Sequence, residues 1–351
     1  MIISIMPYQR KENFMRFTIK PASIFVKSAV FVAIFSVFLT ACSMQNLQTD
    51  NKFSETQLLL NTVVTITVYN EKDEHLLDEC FELCEEYEKT FSRTDPESEL
   101  YALNQSGGMA VSDELLSVIR NALYWCEKTG GAFDITLGAV SDLYGFSSKA
   151  PRVPTSDELS AALSHCGWDK IEIVGNSVTL TDREAVIDLG AIAKGYIADR
   201  LAEHLTANGC ESAIINLGGN ILCVGAKPDG KPFNVGIQYP FEDSQKIITN
   251  VTVRDLSVVT SGIYERSFNH GGTLYHHILS PETGLPIESE LLAVSIIGPL
   301  SENCDALSTV CFVLGLEKGL DLINSLDDYE AVFVDSNYVL HKSLNFDSFT
   351  D

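Results

Sequence analysis

Three stretches of the chain place reactive side chains at spacings that can do chemistry. The first is Asp188-Leu-Gly190-Ala191-Ile-Ala-Lys194-Gly195-Tyr196. A strand reads into Asp188, small residues make a turn, and a helix begins with Lys194 in its first turn. Gly and Ala let a ligand approach the backbone, and a helix N-terminus favours an anion. The segment is neither a P-loop nor a GxGxxG turn, and its spacing also fits an ordinary strand-to-helix turn with a surface lysine. The second stretch is Asp305-Ala-Leu-Ser308-Thr309. Asp305 and Thr309 stand at i,i+4, so their oxygens project from one helix face. Carboxylate and hydroxyl oxygens are hard donors suited to Mg²⁺; the same pattern fits an Asp that complements a helix N-terminus and a Thr that packs inward. The third is Tyr275-His276-His277-Ile278-Leu279-Ser280-Pro281-Glu282-Thr283-Gly284-Leu285-Pro286. A histidine entering a Pro/Gly-punctuated turn is placed to face a cleft and act as a base near neutral pH. Histidine pairs also serve as structural or solvent-facing groups.

The elements that must position these groups follow from periodicity. Alternating β-branched residues predict a strand over 63–69, with further short strands over 171–174, 177–180, 185–189, 213–216, 234–238, 247–253, 257–260, 291–297 and 330–334. Helical spacing of apolar residues predicts helices over 76–90, 112–128, 156–166, 191–208 and 301–314. Ser112 before Asp113-Glu114 is a capping signature, and Gly130-Gly131, Gly209 and Gly315 mark helix ends. Strands and helices without regular βαβ alternation predict an α+β fold.

The chain has 351 residues, 24 Lys+Arg against 48 Asp+Glu, and a formal net charge of −24. That balance excludes a general nucleic-acid binder, which needs a basic face. It also means that an anionic ligand requires a metal ion or a local lysine. At the N-terminus, Arg10, Lys11, Arg16, Lys20 and Lys27 precede an apolar run from Ser28 to Leu39, then Thr40-Ala41-Cys42. The run falls short of the about 20 residues that span a bilayer, and its basic arm and small terminal residues describe an export signal. Leu39-Thr40-Ala41-Cys42 resembles a bacterial lipobox, so residues 1–41 are read as a lipoprotein signal peptide with Cys42 the lipidated residue. Residues 42–55 read as a polar tether and 56–351 as the catalytic unit. The remaining eight cysteines permit disulfides in an exported protein, show no zinc spacing, and read mostly as small buried hydrophobes.

Taken together and in order, the segments resemble the ApbE-type FAD:protein FMN transferases, or flavin transferases. Leu60-Asn61-Thr62 looks like the family's Met-Gly-Thr, and Phe91-Ser92-Arg93-Thr94 with Ser98-Glu99-Leu100 and Asn104 is similar to its Phe-Ser-x-Tyr segment. Gly131-Ala132-Phe133-Asp134, the stretch from Asp188 to Gly195, Asn216-Leu-Gly218-Gly219-Asn220, Thr260-Ser261-Gly262-Ile263-Tyr264-Glu265-Arg266, His277-Ile278 and Asp305 with Thr309 complete the series.

The resemblance implies a bilobed α+β catalytic unit, with mixed sheets, flanking helices and a ligand cleft between lobes. It implies an enzyme that moves FMN from FAD onto a Ser or Thr hydroxyl of an acceptor protein and releases AMP. By this carry-over Leu60, Ala132, Phe133, Asp134, Asp188, Lys194 and Ile278 line the FAD site. The Ala191 carbonyl, Asp305 and Thr309 hold Mg²⁺, and His277 is the base. The implied acceptors carry an Asp-x-x-Ser/Thr-Gly-Ala-Ser/Thr type motif, as in subunits of membrane redox pumps. The implied location is the outer face of the cytoplasmic membrane, through the lipid anchor. Thr94, Leu60-Asn61 and Ser280 depart from the family's usual Tyr, Met-Gly and Asp. Two other activities share the ligand: an FAD pyrophosphatase giving FMN and AMP, and a non-catalytic flavin-binding lipoprotein. Asp305 is expected to be an exposed cleft carboxylate of little weight in stability.

Overall fold

The computed structural model describes residues 52–242 and 246–350. Residues 1–41, read above as a signal peptide, and Cys42 lie outside the described residues. The described chain begins with a hairpin, Phe53–Leu59 (β1) and Thr62–Val68 (β2), in full antiparallel register from Phe53↔Val68 to Leu59↔Thr62. Residues 53–55, read above as tether, are thus strand: their side chains alternate between half-buried and exposed against β2. The two-residue turn holds Leu60 at φ 55 and Asn61 at φ 56. That is the twist-matched hairpin turn, which places both central residues in the left-handed region.

Helices follow at Leu76–Phe91 (α1), Glu99–Ser106 (α2), Asp113–Lys128 (α3), Gly138–Tyr144 (α4) and Ser156–His165 (α5). Ser112 caps α3 by accepting the Leu115 N–H at 3.2 Å, as its sequence predicts, an interaction worth about 1 kcal/mol. A small sheet of Gly108–Ala110 (β3), Ile171–Val174 (β4) and Ser177–Leu180 (β5) lies in this half, in the order β3-β5-β4. Then come Ala193–Ala207 (α6), Ser212–Leu217 (β6), Asn220–Gly225 (β7), Phe233–Gln238 (β8), Ile247–Val253 (β9) and Ser257–Gly262 (β10). Ser267–His270 (β11), Thr273–His276 (β12), Leu291–Gly298 (β13), Ser301–Leu314 (α7), Leu316–Asn324 (α8), Glu330–Asp335 (β14) and Leu340–Lys342 (β15) complete the described elements.

The main sheet has eight strands in the order β1-β2-β6-β7-β10-β13-β14-β15. Every pairing of named strands is antiparallel, as expected of an α+β fold in which no parallel βαβ unit occurs among the described residues. The period of two sorts residues to the sheet's faces. Val259, Val294, Ile296, Ala331 and Phe333 belong to the large core that also holds residues of α1, α6 and α7. Their neighbours Val258, Ile297 and Val332 belong to a second core with the β8–β9 hairpin and Phe346. A third, small cluster of Val140, Tyr144, Leu159 and Leu279 packs around α4 and α5. Tyr144 Oη donates to the Gly284 carbonyl at 2.9 Å and ties this cluster to the turn after the histidine pair.

One expected strand is absent. Residues 185–189 make only an isolated parallel bridge, Val186 to Leu137. Their backbone is satisfied otherwise: the Asn104 amide bonds both polar groups of Ile187, at 2.9 and 2.8 Å. The Asp188 N–H donates to the Ile135 carbonyl at 2.7 Å. A side chain and a loop replace the neighbouring strand, so the extended sequence has no ladder to join. All eight cysteines of the described residues are free thiols, seven of them buried. Burial pushes the Cys80, Cys84 and Cys126 thiols up to about 12, which makes them unreactive core hydrophobes. Among the described residues no helix is long and apolar enough to cross a membrane.

Candidate functional site

The segment 188–195 enters α6 without a side-chain cap. Ile192 and Ala193 donate to the Leu189 carbonyl, and Lys194 Nζ donates to the Gly190 carbonyl at 3.2 Å. Gly195 departs from helical bonding. Its N–H donates to Asp305 Oδ2 of α7 at 3.0 Å, where an α-helix would direct it to the Ala191 carbonyl. Among the described residues the Ala191 carbonyl accepts no hydrogen bond, and Asp305 Oδ1 makes none. Glycine is required for this approach. A Cβ on Gly195 would stand 2.3 Å from the Ser301 carbonyl oxygen and 2.6 Å from the Glu302 Cα.

Asp305 is 4% exposed, which corrects the expectation of an exposed cleft carboxylate. The i,i+4 spacing set its helix face but not how closely α6 covers that face. Burial raises its pKa, against the opposing pull of Lys194, the Gly195 N–H and Arg266. Thr309 lies one turn on, with its hydroxyl 3.3 Å from Ser261 Oγ of β10.

The histidine pair divides as an extended segment requires. His276 is 5% exposed, with Nε2 3.2 Å from the Ile287 carbonyl and its ring edge-on to Phe312. His277 is half-buried, and its N–H donates to the Arg266 carbonyl at 3.1 Å. Nδ1 lies 3.3 Å from the same oxygen, which assigns the proton to Nδ1 and leaves Nε2 as the acceptor. Burial, then Arg266 and Lys194, push the ring's pKa down to about 3.

These groups converge on one cavity of about 1100 Å³. Leu60, Ala132, Phe133, Asp134, Asp188, Ala191, Lys194, His277, Ile278, Asp305 and Thr309, the residues singled out by sequence, all line it. They do so unequally. Phe133 and Ile278 are 4% and 3% exposed and belong chiefly to the main core. Asp134 spends both oxygens on the protein: Oδ1 accepts from the Thr136 N–H and hydroxyl at 2.8 and 2.6 Å, and Oδ2 from the Trp168 N–H at 3.2 Å. Burial still raises its pKa. The Leu60 N–H donates to Glu88 Oε1 at 3.2 Å, which fixes the hairpin turn against α1 at the cavity wall. Ser280 is not part of the lining; its hydroxyl accepts N–H groups of Glu282 and Thr283 within the turn.

Arg93, Asp142, Ser261, Glu265 and Arg266 also line the cavity and were assigned no role from sequence. Arg93, Ser261, Glu265 and Arg266 lie within the segments that carry the family resemblance, but nothing in their spacing names their partners. Desolvation by surrounding protein pushes the Glu265 carboxyl up to about 7, against Lys194 and Arg266, with Asp305 adding to the rise.

A hard divalent cation fits the donors present. Asp305, Ala191 and Thr309 line one cavity and bring carboxylate, carbonyl and hydroxyl oxygens to it; Asp305 Oδ1 and the Ala191 carbonyl have no hydrogen bond among the described residues. No group of three or more His, Cys, Asp or Glu suited to a metal occurs among the described residues, so this set suits an ion that completes its shell with water and phosphate.

The family model of the ApbE family matches residues 60–333. An FAD:protein FMN transferase of Treponema pallidum (strain Nichols) is 38% identical over 305 residues, covering 81% of this chain and 84% of the relative. One of Klebsiella pneumoniae (strain 342) is 33% identical over 294 residues, covering 82% and 91%. The crystal structure of the ApbE protein from Thermotoga maritima superposes with a TM-score of 0.79 at 31% identity, covering 86% of this chain and 99% of that one. The flavin transferase ApbE from Vibrio cholerae does so at 0.75 and 28%, covering 85% and 99%. The matched span runs from the Leu60 turn at the cavity wall to β14 and contains every cavity residue named above, and the chain belongs to the ApbE family.

Proposed function

We infer that this protein is a flavin transferase, which moves FMN from FAD to a Ser or Thr hydroxyl of an acceptor protein. The observation that carries the reading is the convergence of His277, Lys194, Ala191, Asp305 and Thr309 on one cavity, with the Ala191 carbonyl and Asp305 Oδ1 free of hydrogen bonds among the described residues. The acceptor oxygen attacks the phosphorus on the FMN side of the diphosphate, the P–O bond to AMP breaks, and the hydroxyl proton passes to His277 Nε2. Attack on a diphosphate needs charge neutralisation and in-line positioning more than covalent help. Lys194 and Arg266 supply fixed positive charge beside His277. Those two cations, after burial, help hold the imidazole neutral and weakly basic. An anionic diphosphate between them cancels their field and raises the ring's basicity where it is needed.

The proposed Mg²⁺ ligands are Asp305, Thr309 and the Ala191 carbonyl. These residues would hold the ion, which would supply charge neutralisation to the diphosphate. Asp305 is held for that task by the Gly195 N–H, and Ala191 is freed for it by the same bond. Leu60, Ala132 and Asp188 are proposed to border the FAD, with Phe133, Ile278 and Asp134 shaping the wall behind it.

The proposed location is the outer face of the cytoplasmic membrane, through lipid on Cys42. The proposed acceptors carry an Asp-x-x-Ser/Thr-Gly-Ala-Ser/Thr type motif, redox-pump subunits among them. The test is incubation with FAD, Mg²⁺ and such an acceptor, then mass spectrometry of the acceptor. An FMN adduct on Ser or Thr with one AMP per adduct is expected. FMN and AMP released to water with no adduct would instead make the enzyme a pyrophosphatase, and no turnover a flavin carrier.

A further inference from the structure

Arg93, in the loop after α1, reaches two acids from different elements. Its Nε donates to Asp188 Oδ2 at 2.8 Å and its Nη1 to Asp142 Oδ1 on α4 at 2.6 Å. Asp188 Oδ1 in turn accepts the Gly190 N–H at 2.8 Å, so the bridge runs into the turn that leads to Lys194. The Arg93 side chain is 17% exposed, and all three residues line the cavity. A guanidinium can satisfy two carboxylates in fixed directions, whereas an ammonium is a point charge on a flexible stem.

The charge balance makes this bridge consequential. Six carboxylate side chains line the cavity against three cationic ones, Arg93, Lys194 and Arg266, in a chain of net charge −24. A diphosphate substrate adds further negative charge. We propose that Arg93 is a positioning residue for the anionic substrate: it cancels Asp142 and Asp188 and holds Asp188 fixed beside the Gly190 turn. This rests on the flavin-transfer reading and assigns to that site the charge compensation that its lining requires.

The experiment is FAD binding followed by flavin fluorescence, with and without Mg²⁺, in the wild type, Arg93→Gln, Arg93→Lys, and Arg93→Gln combined with Asp142→Asn. Arg93→Gln is expected to weaken binding at least tenfold, and added salt to narrow the gap. Arg93→Lys recovers part of the loss, because it keeps the charge but not the fork. The double variant also recovers part, because deleting the stranded anion replaces deleting its partner; a merely structural bridge gives no such rescue. Wild-type affinity in Arg93→Gln, or a double variant as weak as Arg93→Gln, overturns the proposal. If Arg93→Gln does not fold, Asp142→Asn alone carries the test: tighter FAD binding supports the proposal, and unchanged or weaker binding overturns it. A wild type that binds no FAD sinks the flavin-transfer reading itself, a separate outcome.

Discussion

The Gly195 N–H donates to Asp305 Oδ2 at 3.0 Å and passes over the Ala191 carbonyl four residues before it. This bond helps hold α6 against α7, anchors a buried carboxylate, and leaves a backbone oxygen free beside it. Its geometry depends on the missing side chain. Gly195→Ala drives a Cβ into the backbone of Ser301 and Glu302, and backbone cannot rotate aside. Such overpacking typically costs about 1–3 kcal/mol. Chemical denaturation is expected to show a loss in that range, with Mg²⁺-dependent turnover falling further than the stability loss explains. Unchanged stability would mean that α6 and α7 can part without penalty.

Asp305→Asn separates the carboxylate's charge from its shape. The amide oxygen can still accept from Gly195, while the burial penalty that raises the native pKa disappears. The metal-free variant is expected to melt no lower than the wild type. Mg²⁺ should raise the wild-type melting temperature by mass action and leave the variant's unchanged, and EDTA should abolish wild-type turnover. Full activity in EDTA would remove the metal from the reaction.

Cys42→Ala tests the anchor. The basic arm, the short apolar run and Leu39-Thr40-Ala41-Cys42 motivate it. The variant is expected to accumulate as an unlipidated precursor with its signal uncut, seen as intact mass. A wild type that carries no lipid and begins elsewhere would end the lipoprotein reading.

What the sequence disclosed depended on distance along the chain. β13 and α7 were legible because β-branched runs and a 3.6 period are local, and His277 was separable from His276 because neighbours in a strand diverge. Residues 185–189 look like a strand in isolation; their partners, Asn104 and Ile135, lie some 50 to 80 residues earlier and are not strands. α4 and the β11–β12 hairpin were missed because a seven-residue helix and four-residue strands show too little period. Arg93 was visible as a residue but not as a bridge, since Asp142 and Asp188 are 49 and 95 positions away. The Asp305 spacing was read correctly, yet its burial came from Gly195, another long-range partner.

A pH dependence follows from the acids where α6 meets α7. Asp199 accepts the N–H groups of Ser301 and Glu302, both at 2.9 Å, and caps α7 from the neighbouring helix. Burial nonetheless pushes its pKa up to about 6 from 3.8, and burial pushes Glu302 up to about 7 from 4.5. Each carboxyl binds its proton more tightly folded than unfolded. Their favourable contribution is therefore full below pH 4 and is lost as pH rises through about 6 and 7. Glu302→Gln is expected to flatten the stability profile between about pH 4.5 and 7 and to stabilise at pH 8 by on the order of 1–3 kcal/mol. Urea melts across that range check it; a variant whose profile keeps the wild-type slope would remove Glu302 as the cause.

The histidine pair gives the sharpest separation of chemistry from packing. His277 lines the cavity and its Nε2 makes no hydrogen bond among the described residues, while His276 packs on Phe312 and bonds the Ile287 carbonyl. His277→Ala is expected to lower single-turnover FMN transfer by roughly 10²-fold or more, with FAD affinity little changed. His276→Ala should transfer at a rate near wild type but lose stability, because a buried ring leaves a void and an unpaired carbonyl, together about 1–3 kcal/mol. The pH profile adds an independent check. Burial, Arg266 and Lys194 hold the free enzyme's His277 near 3, so its ring stays neutral from pH 5 to 8. The group's folded pKa lies below its ordinary value of 6.5, so acidification from pH 8 to 5 does not protonate it. The profile of kcat/KM, which reports the free enzyme, should therefore show no inflection near 6.5 belonging to His277. An inflection there that His277→Gln removes would show the ring to be more solvated than its cavity position implies. Equal losses of transfer in the two alanine variants would overturn the assignment of His277 as base and leave flavin transfer itself standing.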